Sequence, residues 1–531
     1  MEMAAEEQPL KTKELKKPTW KEKLKDIKQN ITVEPVLACY VIPGVLSRLA
    51  TQNLNLDKAC RVNKGYGDKV CDALIAREGN QYLKEELAVQ EMIAGMESWK
   101  NVILTAIPSF LILFLGAWSD RTGKRKICIL LPIVGELLMC LSNIVNAYYF
   151  YELPVQVTMF FEAFFPAITG GWISTYMGAF SYISDASKEE SRTFRVGVAN
   201  LCLTAGSPIG SMLSGVLLKH IGYYGVFTLS CLLYLFSILY GFFYIQDPKR
   251  SVPNKNVTDE SPGLRGFLRS FFDIKHVKET LTVAFKKGPN HRRTKSILVL
   301  ASVTFIYGAA YGEHTVRYLF CRYRFNWDAL KYSFYNTFYI ITHLIGAFVS
   351  ISLFSRRLKW DDSVLGLISN TSKIIGCLAA KFARNTTEMY IAVALETFNS
   401  TSFTSLRSIS SKLVASDELG KMTSVFNLME VLTSMVFGPL YSWIYMWTIH
   451  YDAGIIFYVS MFLTVPTFFI FGWFFIQHKK TKKETIIIND NIEMSKPNEE
   501  KENSDKTEGT KSKEVTLISS MDLADEKIFI E

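Results

Sequence analysis

Several ionisable residues lie inside long apolar stretches of the chain, where a charged side chain is costly and is therefore a candidate for a functional role. In mid-membrane such a side chain costs about 2.5–3.5 kcal/mol on insertion scales. Arg407 is the first candidate for binding an anionic substrate, because a guanidinium group matches a carboxylate with two parallel hydrogen bonds. Its structural alternative is an ion pair with Glu430 or Glu396.

Three further residues are candidates for carrying a proton. Glu136 and Glu430 are acids in apolar surroundings, and a carboxyl group that loses its hydration accepts a proton more readily. We predict both for proton coupling and for substrate binding together with Arg407. Either glutamate could instead be a permanent hydrogen-bond partner within a helix bundle. His343 could relay protons, although a lone histidine in such a stretch is more often a packing residue.

Other motifs point away from catalysis. Glu313 and Arg317 are four residues apart, one helical turn, which favours an intrahelical ion pair. The sequence contains no Walker phosphate loop, no H-E-x-x-H zinc motif and no G-x-S-x-G nucleophile elbow. We therefore predict a protein that is not an enzyme, with no catalytic residue, no metal site and no cofactor.

The stretches that hold these residues are predicted to span a membrane. Of the 531 residues, 49% are hydrophobic and 21% charged, and the charges cluster between apolar blocks. Since a bilayer core of ~30 Å needs about 20 apolar residues in a helix, and its backbone must be hydrogen-bonded internally, we predict an all-α membrane protein. It has twelve transmembrane helices: Val33–Ala50, Val102–Trp118, Ile127–Tyr149, Val155–Ile183, Phe194–Leu218, Tyr224–Ile245, Ser296–Tyr318, Tyr332–Phe354, Ser363–Ala383, Met389–Leu413, Met422–Met446 and Ile455–Ile476.

Basic residues between the spans predict their orientation. Lysines from Lys11 to Lys28 precede the first span, the Asp247–Lys295 segment holds twelve Lys and Arg, and Lys479–Lys483 follow the last span. By the positive-inside rule, both termini and this segment are cytosolic. The net charge of +9 is therefore a topology signal, and we predict the lipid bilayer, not a nucleic acid, as the large partner.

The spacing divides the chain into five predicted parts. Two six-helix halves, 33–246 and 296–477, are joined by a cytosolic linker at 247–295. A basic cytosolic segment, 1–32, precedes them, and a Lys/Glu-rich tail, 478–531, is predicted to be disordered. Two such halves that rock around a central site are typical of transporters.

A glycine-rich turn between the second and third spans carries the first resemblance. It reads Gly116-Ala-Trp-Ser-Asp120-Arg121-Thr-Gly123-Lys-Arg125 and resembles the signature loop of the major facilitator superfamily, G-x-x-x-D-R-x-G-R-R. Gly116 permits close helix approach and Gly123 a turn with positive φ. Asp120 can cap a neighbouring helix, while Arg121 and Arg125 can pair with acids across the two halves. This resemblance implies the major facilitator fold and a cytosolic gate.

A second resemblance covers roughly 450 residues. It rests on several motifs in order: Val33-Glu34-Pro35, Thr51-Gln52, Ser184-Asp185, Ser191-Arg-Thr-Phe-Arg195 and Arg407-Ser-Ile-Ser-Ser-Lys412. Together they look like the proton-coupled folate transporter family, solute carrier family 46. The first loop, with Cys60 and Cys71, is more similar to the lysosomal and muropeptide-transporting branches.

Two departures separate the chain from the folate branch. Gly171 and Asn200 stand where the folate transporter carries acidic residues, whereas the arginine matching Arg407 is retained. The resemblance therefore implies the fold and a transport role, but not folate as the substrate.

Cys60, Cys71 and Cys321 are predicted on the non-cytosolic side, where oxidation is plausible. The family resemblance implies a disulfide between the first loop and the outer end of the seventh span. We expect Cys71–Cys321, with Cys60 as the alternative partner. Three cysteines cannot all pair with one another.

The predicted function is secondary active transport of a small organic anion, coupled to protons, by alternating access. The substrate class stays open among folate-like, muropeptide-like and other anions, and the oligomeric state stays open too. The alternatives are a non-transporting receptor or scaffold with a transporter fold, and a membrane-embedded acyltransferase, for which His343 is weak support. The membrane is the plasma membrane or the lysosomal membrane.

Overall fold

The structure is a computed structural model that describes residues 32–77, 80–187, 189–247, 291–414 and 419–494, together with Lys286. These residues form helices and short connections, with no strand among them. The helices are α1 Glu34–Lys58, α2 Asp68–Ala76, α3 Leu83–Thr122, α4 Arg125–Tyr148, α5 Val155–Ile168, α6 Gly171–Ala186, α7 Glu189–Tyr244, α8 Arg292–Phe325, α9 Ala329–Val349, α10 Asp362–Phe382, α11 Thr386–Leu395, α12 Thr401–Lys412, α13 Leu419–Thr448 and α14 Ile455–Met494.

The predicted all-helical membrane fold is confirmed. Each predicted span coincides with one helix or with two consecutive ones. In the described part of the chain, seven stretches are long and apolar enough to cross a membrane, and the Arg195–Tyr244 stretch covers two predicted spans. Gly222, with φ 63°, kinks α7 between those two spans. The predicted five-part division stays a prediction, and its first, linker and tail segments lie largely outside the described residues.

Glycines end or break helices where the sequence predicts turns. Gly123 has φ 72° and ends α3, and its N–H donates to the Ser119 carbonyl at 2.9 Å. This confirms the positive-φ turn in the signature loop. Gly170 has φ 95° and separates α5 from α6, so the predicted fourth span consists of two helices.

The chain divides into two units, Met1–Phe475 and Ile476–Glu531. The first unit holds the helix bundle. In the second, the described residues continue α14 to Met494. Within the first unit we call residues 32–247 the amino-terminal half and 291–475 the carboxy-terminal half. The near end of the bundle is where α1 begins at Glu34, and the far end is where it ends at Lys58.

The apolar core shows where the two halves meet. The largest cluster combines the end of α1 and the start of α3 with the end of α8, the start of α9 and the end of α13, all at the far end. The other clusters of the described residues each belong to one half. Because buried contact area holds helices together, the halves adhere at the far end.

Candidate functional site

A buried carboxylate joins the two halves at the far end. Glu86 on α3 accepts hydrogen bonds from Arg322 of α8 at 2.9 Å and from Arg77, which follows α2, at 3.4 Å. Gln90 donates to the same carboxylate at 2.6 Å. We call Glu86, Arg77 and Arg322 the far-end latch. A charge pair without water is strong only while each partner is present, so the latch stabilises this arrangement of the halves.

Further contacts between the halves lie at similar depth. Tyr318 donates to Asn53 at 2.7 Å, and Tyr445 donates to Gln90 at 2.9 Å. All described hydrogen bonds and ion pairs between the halves involve the parts of their helices closer to the far end. The others are Arg322–Leu74, Ser98–Pro439, Ser211–Ser333, Asn336–Ser211, Asn326–Arg77 and the exposed His450–Glu91 pair at 3.3 Å, which we call the surface pair.

The first loop, residues 59–77, packs against this latch, since Arg322 donates to the Leu74 carbonyl at 3.4 Å. We call this loop the lid. Arg61 binds three aspartates, Asp57 at 2.7 Å, Asp68 at 2.6 Å and Asp72 at 2.5 Å. Burial acts against the charged form of Arg61, but the hydrogen bonds to these carboxylates outweigh it and raise its pKa further above the usual value. Arg61 therefore stays protonated at any physiological pH.

The disulfide expectation is wrong in its pairing. The structure joins Cys60 to Cys71, both in the first loop, while Cys321 is a buried free cysteine on α8. The π-helical turn after α1 brings Cys60 to α2, with the two Cα atoms 5.9 Å apart. The bridge closes the lid on itself and does not tie the two halves together.

Arg407 forms the pair that the sequence offered as its structural alternative. Its Nη2 donates to Glu430 Oε1 at 2.7 Å and to Asn427 at 3.2 Å. Its guanidinium also lies over the rings of Phe403 and Phe426, each at 5.2 Å. The side chain is nevertheless 49% exposed, so a ligand can reach it.

Tyrosines of α8 connect this pair to the amino-terminal half. Tyr307 lies within electrostatic range of Arg407 and Glu430 and also of Tyr176 on α6. Its ring is parallel to that of Tyr311, with centroids 6.1 Å apart. The Arg407–Glu430 pair therefore borders the space between the halves.

Glu136 lies in a different place from Arg407. In the described part of the chain it makes no hydrogen bond or ion pair, and the charges that act on it are those of Arg48 and Glu162. The structure thus brings together two of the three predicted substrate-binding residues and places the third in the other half.

A buried network of charged residues lies near Glu136, and the sequence analysis did not predict it because the second span was predicted to begin too late. Lys100 donates to Glu97 at 2.5 Å and to Glu162 at 2.9 Å, and Asn55 donates to Glu162 at 3.0 Å. The predicted second span begins at Val102, whereas α3 begins at Leu83. An earlier start would have included Glu97 and Lys100.

A second buried network lies in the carboxy-terminal half. Lys373 on α10 donates to Glu313 at 2.9 Å and binds Glu396 as well, and Arg317 pairs with Glu313 at 3.2 Å. The predicted intrahelical pair of Glu313 and Arg317 is confirmed. With two acids and two bases, the network is neutral overall.

His343 borders this network without joining it. Its ring stacks on Tyr339 at 4.1 Å, and Tyr339 in turn lies under the guanidinium of Arg317 at 3.9 Å. Among the described residues, the buried Nε2 of His343 has no hydrogen-bond partner. A proton role for His343 stays a prediction.

Arg48 is a candidate that the sequence reasoning missed. It lies inside the first predicted span, yet its side chain is exposed. It acts electrostatically on Glu97 and Glu136 of one half and on Tyr311 and His314 of the other. Its signal was an arginine inside an apolar run, near the end of the first predicted span, and a charge in an apolar run is also what singled out Arg407.

The signature loop is described in part. The side chains of Asp120 and Arg121 lie outside the described residues. Gly116 is close to Met177, and a Cβ there would lie 3.2 Å from its sulfur, in line with the predicted helix approach. Arg125 binds Asp185 at 2.9 Å and Ser119 at 3.1 Å within the amino-terminal half, so its pairing across the halves stays a prediction.

Motifs that carried the family resemblance contact one another. Glu34 accepts from the Thr32 and Val33 N–H groups at 2.8 and 3.0 Å, immediately before α1. Arg195 lies 3.6 Å from Glu34 and donates to Thr32 at 2.8 Å. These motifs therefore fasten the near ends of α1 and α7.

Comparisons with known proteins agree with this architecture. The Major Facilitator Superfamily profile matches residues 80–369. The chain is 24% identical over 462 residues to a probable peptidoglycan muropeptide transporter of Drosophila melanogaster, covering 85% of this chain and 86% of that protein. It is 24% identical to a lysosomal proton-coupled steroid conjugate and bile acid symporter of Gallus gallus, covering 83% and 93%. It is 26% identical to solute carrier family 46 member 2 of Mus musculus, covering 84% and 92%.

Solved structures share the fold at low identity. The human organic anion transporter MFSD10 superposes with a TM-score of 0.53 at 14% identity, covering 84% of this chain and 99% of that one. The peptide transporter PepTSo gives 0.54 at 10% identity, covering 85% and 98%. The predicted resemblance to solute carrier family 46 is confirmed, and the relatives are transporters, not enzymes.

Proposed function

The chain belongs to the Major Facilitator Superfamily, and we propose that it is a secondary active transporter of a small organic anion, coupled to protons, that works by alternating access. The observation that carries this proposal is the one-sided contact between the halves. They share an apolar cluster and the latch at the far end, while the Arg407–Glu430 pair remains accessible between them. Two halves that adhere at one end, with a reachable binding residue between them, are an arrangement expected of alternating access.

The orientation follows from the basic residues. With the termini in the cytosol by the positive-inside rule, the far end, where the described contacts between the halves lie, faces the lumen or the outside. The membrane is the lysosomal or the plasma membrane. The lysosomal relatives favour a compartment whose acidity could drive transport.

The positive charge of Arg407 assigns the substrate to the organic anions. Arg407 is the binding residue in the carboxy-terminal half, and Glu430 competes with the substrate for it. Protonation of Glu430 would release the guanidinium for a carboxylate or sulfate of the substrate. Glu136, Glu430 and His343 are the proton-coupling candidates, and muropeptides, bile acids and steroid conjugates are the substrate classes suggested by the relatives.

The test is uptake into proteoliposomes made with purified protein. Muramyl dipeptide, taurocholate and estrone 3-sulfate are offered at mildly acidic and at neutral outer pH, with and without a protonophore. We expect saturable uptake of at least one anion that acid stimulates and the protonophore abolishes. Arg407→Ala should lose uptake, whereas Arg384→Gln, a change of an exposed far-end arginine, should not. Uptake at the same rate at both pH values, unaffected by the protonophore, would refute proton coupling. If none of the three anions is taken up, a receptor or scaffold is favoured.

A further inference from the structure

We propose that Arg48 binds the anionic group of the substrate and that Glu136 makes this binding depend on a proton. This inference rests on the transport function proposed above and names the residues that couple the two ions. It concerns the amino-terminal half, whereas Arg407 lies in the other half.

The first step is that Arg48 lacks a partner. Among the described residues, every other Lys or Arg inside the twelve predicted spans lies within 4.0 Å of a carboxylate oxygen. Arg48 makes no ion pair and no hydrogen bond in the same part of the chain. A guanidinium group presents five donors in a fixed fork, so its binding capacity is unused.

The second step places Arg48 between the halves. It is the fifteenth of the 25 residues of α1, and its side chain is exposed. Its charge acts on Tyr311 and His314 of α8 and on Tyr332 of α9 as well as on the amino-terminal half. Five residues further along α1, Asn53 accepts a hydrogen bond from Tyr318 of α8 at 2.7 Å, so this part of α1 faces the other half, and we place the exposed Arg48 beside the space between the halves.

The third step is the charge balance around Arg48. Lys100 holds Glu97 and Glu162 by direct hydrogen bonds, whereas Glu136 has no such bond among the described residues. Three glutamates against Lys100 and Arg48 leave a net charge of −1. A substrate anion beside Arg48 would bring this to −2, and repulsion is strong where water is scarce. A proton on Glu136 restores the original balance, so anion and proton enter together.

The remaining neighbours of Glu136 are neutral. Tyr40 of α1, Tyr234 of α7 and Cys140 of its own helix lie within electrostatic range, and phenols and thiols are uncharged near neutral pH. His314 faces both Arg48 and Arg317, so a proton there would add a third cation and would not offset an anion. Glu136 is therefore the group that compensates the substrate charge.

The site fits a carboxylate or sulfonate attached to a ring-containing body. The guanidinium fork supplies paired hydrogen bonds to either anion. The nearby rings of Tyr311 and Tyr307 offer apolar faces to the rest of the molecule.

The experiment measures binding and proton uptake separately. Taurocholate and muramyl dipeptide are titrated calorimetrically into the detergent-solubilised full-length protein, in two buffers of different ionisation enthalpy, which reports protons taken up per anion. For the wild type we expect about one proton per anion. Arg48→Gln should weaken binding at least about tenfold, Arg48→Lys should weaken it less, and Glu136→Gln should bind without taking up a proton. Arg384→Gln is the matched control and should behave like the wild type.

The outcomes separate this inference from the transport function. If the wild type takes up neither probe in proteoliposomes, the transport proposal fails for these anions, and the inference fails with it. If the wild type transports a probe but Arg48→Gln binds it with unchanged affinity, the inference is refuted and the transport function stands. Unchanged proton uptake in Glu136→Gln also refutes it. Should Arg48→Gln not fold, as judged by gel filtration, Arg48→Lys and Glu136→Gln still decide.

Discussion

Lys373→Met offers a test of the buried charge network in the carboxy-terminal half. Lys373 is 4% exposed and binds two carboxylates, those of Glu313 and Glu396, which are 2% and 9% exposed. Methionine keeps much of the side-chain length but removes the charge. Glu313 retains Arg317, whereas Glu396 keeps only the amide of Asn399 at 3.1 Å. Breaking a buried pair from one side costs about 3–5 kcal/mol, so we expect the free energy of unfolding to fall by about that amount.

The double variant sharpens this expectation. Lys373→Met with Glu396→Gln restores a neutral network, because one acid and one base remain. We expect it to be less destabilised than the sum of the two single variants, by a coupling energy of about 1–3 kcal/mol. The assay is unfolding by sodium dodecyl sulfate in mixed micelles, followed by circular dichroism, for the wild type, both single variants and the double variant.

The matched control lies on the same helix. Lys381 also binds a carboxylate, that of Asp452, but this aspartate is 41% exposed. Water already compensates such a pair, so Lys381→Met should cost less than about 1 kcal/mol. The reasoning fails if Lys373→Met is no more damaging than Lys381→Met, or if the double variant is destabilised by the full sum of the two single changes.

Three further predictions concern the far end and the lid. Glu86→Gln removes the carboxylate that two arginines share. Spin labels at the positions of the surface pair should then show a new population at longer distance in pulsed electron paramagnetic resonance. An unchanged distance distribution would contradict the role of the latch in holding the halves together. Gly215→Leu should separate the same labels, because a Cβ there would lie 2.4 Å from the Ser333 hydroxyl, whereas Gly197→Leu, with nothing within 4 Å of that Cβ, should not. Cys321→Ser should leave the disulfide of the lid intact by mass spectrometry of a non-reduced digest. Loss of this disulfide in Cys321→Ser would contradict the Cys60–Cys71 pairing and favour the Cys71–Cys321 bridge expected from the sequence. As part of the same prediction, reduction of the Cys60–Cys71 disulfide should destabilise the lid by about 3 kcal/mol.

Local features of the sequence were enough to predict the helices. Each span is a run of apolar residues long enough for the bilayer, and this depends on neighbours within about 20 positions. The turn at Gly123 and the pair of Glu313 and Arg317 are likewise local, since each involves residues within one helical turn. The all-helical fold, the turn and the ion pair hold in the structure, although α3 begins at Leu83, well before the predicted second span.

The sequence predicted which residues belong to the candidate site, but not how they are arranged. Arg407, Glu430 and Glu136 were singled out because charges in apolar runs are expensive. Which of them meet could not be predicted, because helices that are distant in sequence pack together. Arg48 was missed for a related reason: its importance lies in having no partner, and a missing partner is visible only when all neighbours are placed.

The sequence by itself determined the fold class, the helices and the cysteines available for a bridge, since hydrophobic length and local turns specify them. Only the tertiary structure decided that Cys60 pairs with Cys71, that Glu86 holds two arginines, and that the contacts between the halves gather at the far end of the described helices. The Cys60–Cys71 bridge depends on how the first loop folds, whereas Glu86 and Arg322 are 236 positions apart, and other bonds between the halves join residues 355 and 359 positions apart. Two arrangements of the halves can share the same helices, so the local pattern carries no information about which one is adopted.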